Sequence, residues 1–285
     1  MVNALTRGTS TAASATRQFL VWFAILVIIT ASCVVSLRHD HVNVFEGRSW
    51  QEIPIGYSPL LAALITMLMW RGARARELAT SLTTWRVGAH WYVLVIVFPL
   101  LLLLTSHLID DIIQGTPLHW PATNWMAPFA SLPGLFSGSF GEEPGWRGYA
   151  LPLLQKRLGV LRASIILGVI WGIWHMNAEL TTAHPLTSFL AGAPKGLLRM
   201  IATAVLYGWL YDRTGGSLPV VMLAHAGHNI AVDVMLFYGF GPEGGVSLWV
   251  ISGLYALAAL PVGWMLWRED RKRTRNPRSL DPEAA

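Results

Sequence analysis

Apolar runs long enough to cross a bilayer constrain this chain more than any other feature. A helix needs about 20 mostly apolar residues to span the hydrocarbon core, and within lipid its backbone polar groups must be satisfied internally. Eight runs are read along the sequence: Phe19 to Leu37, Ile55 to Trp70, Ala89 to Ile109, Met126 to Phe140, Val160 to Met176, Gly196 to Tyr211, Leu218 to Tyr238 and Val246 to Trp267. The second, fourth and sixth are short. Together they predict an all-α polytopic membrane protein of about eight transmembrane helices enclosing a polar cavity. Composition agrees, with only 13% of the 285 residues charged against roughly 25% in a soluble domain.

The distribution of basic residues sets an expected topology. Arg268, Arg271, Lys272, Arg273, Arg275 and Arg278 follow the last run. With eight spans and both termini cytoplasmic, seventeen of the twenty-one Lys and Arg fall on the cytoplasmic side, and Arg38, Arg48, Lys195 and Arg199 fall outside. Positive charge collects on the cytoplasmic side of membrane proteins. The high pI therefore points to a lipid bilayer as partner and not to nucleic acid, with the chain in a plasma membrane of bacterial type. Residues 1–17 are expected as a cytoplasmic tail, 18–268 as one membrane domain, and 269–285 as a basic, disordered tail. A semi-polar segment, Glu142 to Arg157, separates the fourth and fifth runs, which places Glu142 near the cytoplasmic side. One cysteine, Cys33, leaves no intrachain disulfide.

Three polar clusters interrupt the apolar runs. They are Gly141-Glu142-Glu143-Pro144-Gly145-Trp146-Arg147-Gly148, then Trp171-Gly172-Ile173-Trp174-His175, then His225-Ala226-Gly227-His228-Asn229. Ionisable groups at mid-membrane cost about 2.5–3.5 kcal/mol each even on lenient scales, and they persist where they meet one another or water. The three clusters are expected to converge on one internal cavity. Glu143 and Arg147 stand at i, i+4, the favoured order for an intrahelical ion pair, while Glu142 lies about 140° from Arg147 around the helix. His225 and Asn229 are also i, i+4 and face one point. His228 and Asp233 are within reach of that face.

In this order, Glu-Glu-x-x-x-Arg, aromatic-x-x-x-His and His-x-x-x-Asn resemble the CPBP family, which comprises CAAX prenyl endopeptidases and bacteriocin-processing or immunity proteins and is also called the ABI family. The likeness covers about residues 126–238. It departs from the family where Trp171 stands in place of the usual Phe. The resemblance implies an intramembrane endopeptidase acting near the carboxyl end of a membrane-associated protein or peptide, prenylated CAAX proteins being among the substrates it suggests. Carried over, Glu142 activates the attacking water with His175 assisting, His225 and Asn229 stabilise the oxyanion, and Glu143 with Arg147 forms a structural ion pair at the site. The residues themselves fit this chemistry. Hydrolysis without a Ser or Cys nucleophile needs an activated water. A carboxylate with an ordinary pKa near 4.3 serves as base only in special surroundings, here expected among Trp146, Phe140 and Trp174. Asn and His supply donors for developing negative charge.

Other readings stand beside this one. Glu142, His175 and His225 would form a three-ligand zinc site with an open fourth position, but His-Glu-x-x-His is absent, and the expectation is no metal and no cofactor. A non-catalytic membrane immunity or binding protein, or a proton-coupled transporter, would also carry such a cavity; the intact Glu/His/Asn set argues against the first and the lack of inverted repeats against the second. His225 with Asn229 would alternatively serve as an interhelical polar clamp. His90, His107, His184 and Glu179 carry no motif, although Glu179 lies i+4 from His175.

Overall fold

The computed structural model describes the backbone of residues 2–44, 50–115, 138–237 and 248–275, and side chains within 13–44, 50–115, 138–230 and 248–272. Among these residues there is no strand, and the chain is an all-α, multi-pass integral membrane protein. Its helices are α1 (Val2–His39), α2 (Ile53–Met69), α3 (Ala75–Thr83), α4 (Ala89–Gln114), α5 (Ser139–Gly145), α6 (Leu151–His175), α7 (Pro185–Arg213), α8 (Leu218–Phe237) and α9 (Leu248–Arg275). Seven of the eight apolar runs fall on α1, α2, α4, α6, α7, α8 and α9. Six helical stretches among the described residues are long and apolar enough to span a membrane. The fourth run lies almost wholly outside the described residues, apart from Gly138, Ser139 and Phe140.

Three boundaries differ from the sequence reading. The polar tail expected over 1–17 is continuous with α1. α9 runs to Arg275, past the expected start of the tail at residue 269; Glu269 pairs there with Arg213 at 2.5 Å. Most consequentially, Glu142 to Arg157 is not a connection between spans. It is helix, passing from α5 through a five-residue π turn, Trp146–Ala150, into α6. Hydropathy placed it outside the spans because it is charged, yet Glu143 and Arg147 are almost fully buried, the charges being paired inside the bundle.

This helix folds back on itself at Gly159, the residue with non-helical dihedrals (φ 78°, ψ 168°) inside α6. Trp171 touches Glu142 at 2.7 Å although 29 residues separate them, and a straight helix would hold them about 43 Å apart. Ser139 to Leu158 and Val160 to His175 are therefore two antiparallel arms. A positive φ of this size suits glycine, and a Cβ at Gly159 would also meet the Asp270 carboxylate of α9 at 2.4 Å. The turn lies at the basic end, with Lys156, Arg157 and Arg162 near it in sequence. Glu142 is about 25 Å of helix away from the turn, within a helix and not in a connection between spans.

Small residues set the arms against their neighbours. A Cβ on Gly141 would meet the Gly56 carbonyl oxygen at 2.5 Å, and one on Gly145 would meet the Pro59 backbone at 2.2 Å. This G-x-x-x-G spacing lets α5 and α2 touch backbone to backbone, as small residues do between membrane helices. On the second arm Gly168 abuts the Ile201 Cα, and Gly172 abuts Leu197 and Met200 of α7. Pro59 offers no N–H to the Ile55 carbonyl, and Ser58 Oγ donates to that oxygen instead at 2.7 Å. Trp22 Nε1 of α1 donates to the Pro59 carbonyl at 3.1 Å. Gly145→Ala should consequently push α5 off α2 and cost about 1–3 kcal/mol through overpacking. Thermal unfolding in detergent would show a lowered midpoint; an unchanged midpoint would mean the helices separate freely at this contact.

Candidate active site

The ends of the two arms carry the first two clusters into contact. Glu142 is buried at 4% exposure. Its Oε2 accepts from Trp171 Nε1 at 2.7 Å and lies 3.9 Å from His175 Nε2. His175 closes α6, and its side chain is 38% exposed. Glu143, the next residue, faces another way, as the helical angles require. Its Oε1 accepts from Arg147 Nη1 at 3.0 Å and contacts His225 Nδ1 of α8 at 2.7 Å. Asn229 follows one turn after His225 on α8 and is partly buried. The third cluster thus joins the first through Glu143, whereas Glu142 faces the second.

Trp171 links these groups. Beyond its hydrogen bond to Glu142, its ring takes the Arg147 guanidinium on its face at 4.3 Å and stands edge-on to His225, with centroids 5.5 Å apart. His175 packs against it at the same centroid distance. Tyr207 of α7 completes the enclosure, 5.2 Å from the guanidinium carbon and 6.0 Å from the His225 ring. A cation held over two aromatic faces gains further stabilisation when desolvated. The sequence reading treated Trp171 only as a departure from the family's usual Phe and did not single out Tyr207. The signal for Trp171 was available, since an indole brings an N–H that Phe lacks and stands i, i+4 from His175.

The aromatic wall differs in part from expectation. Trp146 and Trp174 are buried, whereas Phe140 is 46% exposed. Trp174 Nε1 donates to Thr30 Oγ1 at 3.0 Å and to Ser58 Oγ at 3.2 Å, tying the site to α1 and α2. His228 turns away from Glu143 and contacts Tyr255 of α9 at 2.6 Å. Glu179 falls in a separate 3-10 turn, Glu179–Thr181, beside Gly192 of α7, so it is not continuous with the His175 face. The side chain of Asp233 lies outside the described residues. Among the described residues no group of three His, Cys, Asp or Glu is arranged to hold a metal ion.

Fold and site together define a helical membrane protein with a buried carboxylate–histidine centre, braced by a separate ion pair. Residues 123–231 match the family model described as Rce1-like, type II CAAX prenyl endopeptidase, which bears out the CPBP resemblance carried by the three motifs. A 34-residue stretch is 53% identical to CAAX prenyl protease 2 of Methanococcus maripaludis, covering 12% of each chain.

Proposed function

We propose that this protein is an intramembrane endopeptidase that hydrolyses a peptide bond near the carboxyl end of a membrane-associated substrate, with Glu142 as general base. The observation that carries this reading is the Glu142 carboxylate, buried, oriented by the Trp171 N–H and set 3.9 Å from His175. That gap exceeds a direct hydrogen bond, and polar groups so spaced commonly share a water. A water bonded to both sits off the line between them, with one side open to a substrate carbonyl. Glu142 takes its proton as the oxygen attacks, and His175 holds it in place. His225 and Asn229 stabilise the oxyanion. With Nδ1 donating to Glu143, His225 presents an Nε2–H in its doubly protonated form. Arg147 neutralises Glu143, so that one carboxylate serves structure and the other chemistry.

The name of the Methanococcus relative suggests a prenylated CAAX substrate. An apolar cavity of about 190 Å³, lined by Val95, Phe98, Pro99, Tyr207 and Tyr255 among others, shares Tyr207 with the aromatic enclosure and supports a lipid-bearing substrate. The basic ends of α6, α7 and α9 favour cytoplasmic termini. The test is cleavage in liposomes of matched prenylated and unmodified peptides, with and without a chelator. Release of a carboxyl-terminal fragment, preferentially from the prenylated peptide and indifferent to the chelator, is expected. Loss of activity with the chelator would replace the glutamate mechanism by a metal one, and failure to cleave any peptide would remove the peptidase reading.

A further inference from the structure

A second cation lies partly buried in the bundle, and it is held differently from Arg147. Arg199 stands midway along α7 between Pro185 and Arg213; the sequence reading had set it at the outer edge of the sixth run. Charged side chains inside membrane helices normally face a partner or a cavity. Arg147 has Glu143 and two aromatic rings. Arg199 makes no hydrogen bond or ion pair with any described residue, and its Nε is buried without a partner among them.

Its position brings it to the site. The α7 turn carrying Arg199 is pressed against the His175 end of α6. A Cβ on Gly196 would meet Met176 Cε at 2.4 Å, and one on Gly172 would meet Leu197 at 2.8 Å and the Met200 Cβ at 3.4 Å. The charge of Arg199 bears on His175 and on His228. Tyr255 and Glu179 are the other titratable groups around it. Glu179 is not within ion-pair distance, and its Oε2 also lacks a hydrogen-bond partner among the described residues. A guanidinium fork thus stands beside the candidate centre with no anion of the described residues on it.

Resting on the peptidase reading, we propose that Arg199 anchors the free C-terminal carboxylate of the peptide substrate. Guanidinium and carboxylate match in a bidentate, charge-assisted geometry. A partly desolvated charge without a partner carries a cost, and a ligand that brings the anion reduces that cost on binding. The same contact fixes the substrate's register, because the anchored carboxylate sets how many residues separate the chain end from the bond over Glu142. Arg199 is on this view a specificity-determining residue and takes no part in proton transfer.

The test compares one prenylated peptide ending in a free carboxylate with the same peptide ending in an amide. Hydrolysis is measured in liposomes for wild type, Arg199→Gln and Arg199→Lys. Equilibrium binding of both fluorescently labelled peptides is measured on Glu142→Gln, with and without Arg199→Gln. Wild type is expected to favour the acid at least ten-fold in KM with kcat little changed. Arg199→Gln should bring the acid to the level of the amide and leave the amide unaffected, and Arg199→Lys should restore part of the preference. Equal handling of acid and amide by wild type, or an equal loss on both peptides in Arg199→Gln, overturns the proposal and leaves the peptidase reading intact. If wild type cleaves neither peptide, the peptidase reading fails, and the binding comparison still decides the role of Arg199 by the same criteria.

Discussion

Glu142→Gln should yield a folded protein that no longer cleaves. A positioned general base contributes roughly 10²–10⁴-fold to rate, and the amide cannot take a proton from water, so hydrolysis in liposomes should fall by about that factor. The glutamine keeps the shape of the side chain and an oxygen that accepts from Trp171 Nε1, which in the native protein spans 2.7 Å. It also removes a buried charge. The thermal midpoint in detergent should therefore hold or rise while activity collapses. Glu142→Ala would be the poorer experiment, because it also leaves the indole N–H buried without its acceptor, at about 1–3 kcal/mol. Retention of more than a tenth of the wild-type rate by Glu142→Gln would mean that some other group activates the water.

The opposite outcome is expected at Arg147, where stability is the larger casualty. Glu143 is fully buried, and the Arg147 side chain is 2% exposed. Removing one partner of a buried ion pair leaves an uncompensated charge, typically costing about 3–5 kcal/mol. Arg147→Ala further vacates the faces of Trp171 and Tyr207. The expected result is a large drop in thermal midpoint, with activity lost through misfolding. The discriminating variant is the double substitution Glu143→Gln with Arg147→Met, which replaces both charges at similar volume. Swaps of this kind are often neutral or stabilising, so the double variant should recover most of the stability lost by Arg147→Ala. Coupling between the two positions is read from the double-mutant cycle. A near-native midpoint for Arg147→Ala would show that the pair is not what holds the arm in place.

Much of the fold was legible in the sequence because bilayer thickness dictates it. Ala89 to Ile109 and Leu218 to Tyr238 are read from apolar length alone; the first falls on α4, which runs on to Gln114, and the second on α8, described to Phe237. Hydropathy failed between Glu142 and Arg157, where it cannot tell a charge facing solvent from a charge cancelled inside the bundle. The turn at Gly159 was equally invisible, since a single glycine followed by a long apolar stretch resembles the interior of a continuous helix. The glycines at 141, 145, 168 and 172 stood in the sequence at the spacing of close helix contacts, but spacing does not say which helix they face. At the site, the side-by-side glutamates and their opposite directions followed from helical angles. The pairing of His225 with Glu143, the indole hydrogen bond to Glu142 and the isolation of Arg199 did not, because each depends on contacts between segments distant in sequence.

The fold-back at Gly159 makes the two arms behave as matched rulers. Glu142 is counted from the turn along one arm and Trp171 along the other, and they meet only if both counts agree. One residue inserted into either arm would slide its end by about 1.5 Å and swing it by about 100°, turning Glu142 away from the indole or His175 away from the carboxylate. Bilayer thickness tolerates such a change, since a helix can tilt to absorb it. Arm length in this protein is thus held by the chemistry at its tip, more tightly than the membrane would require.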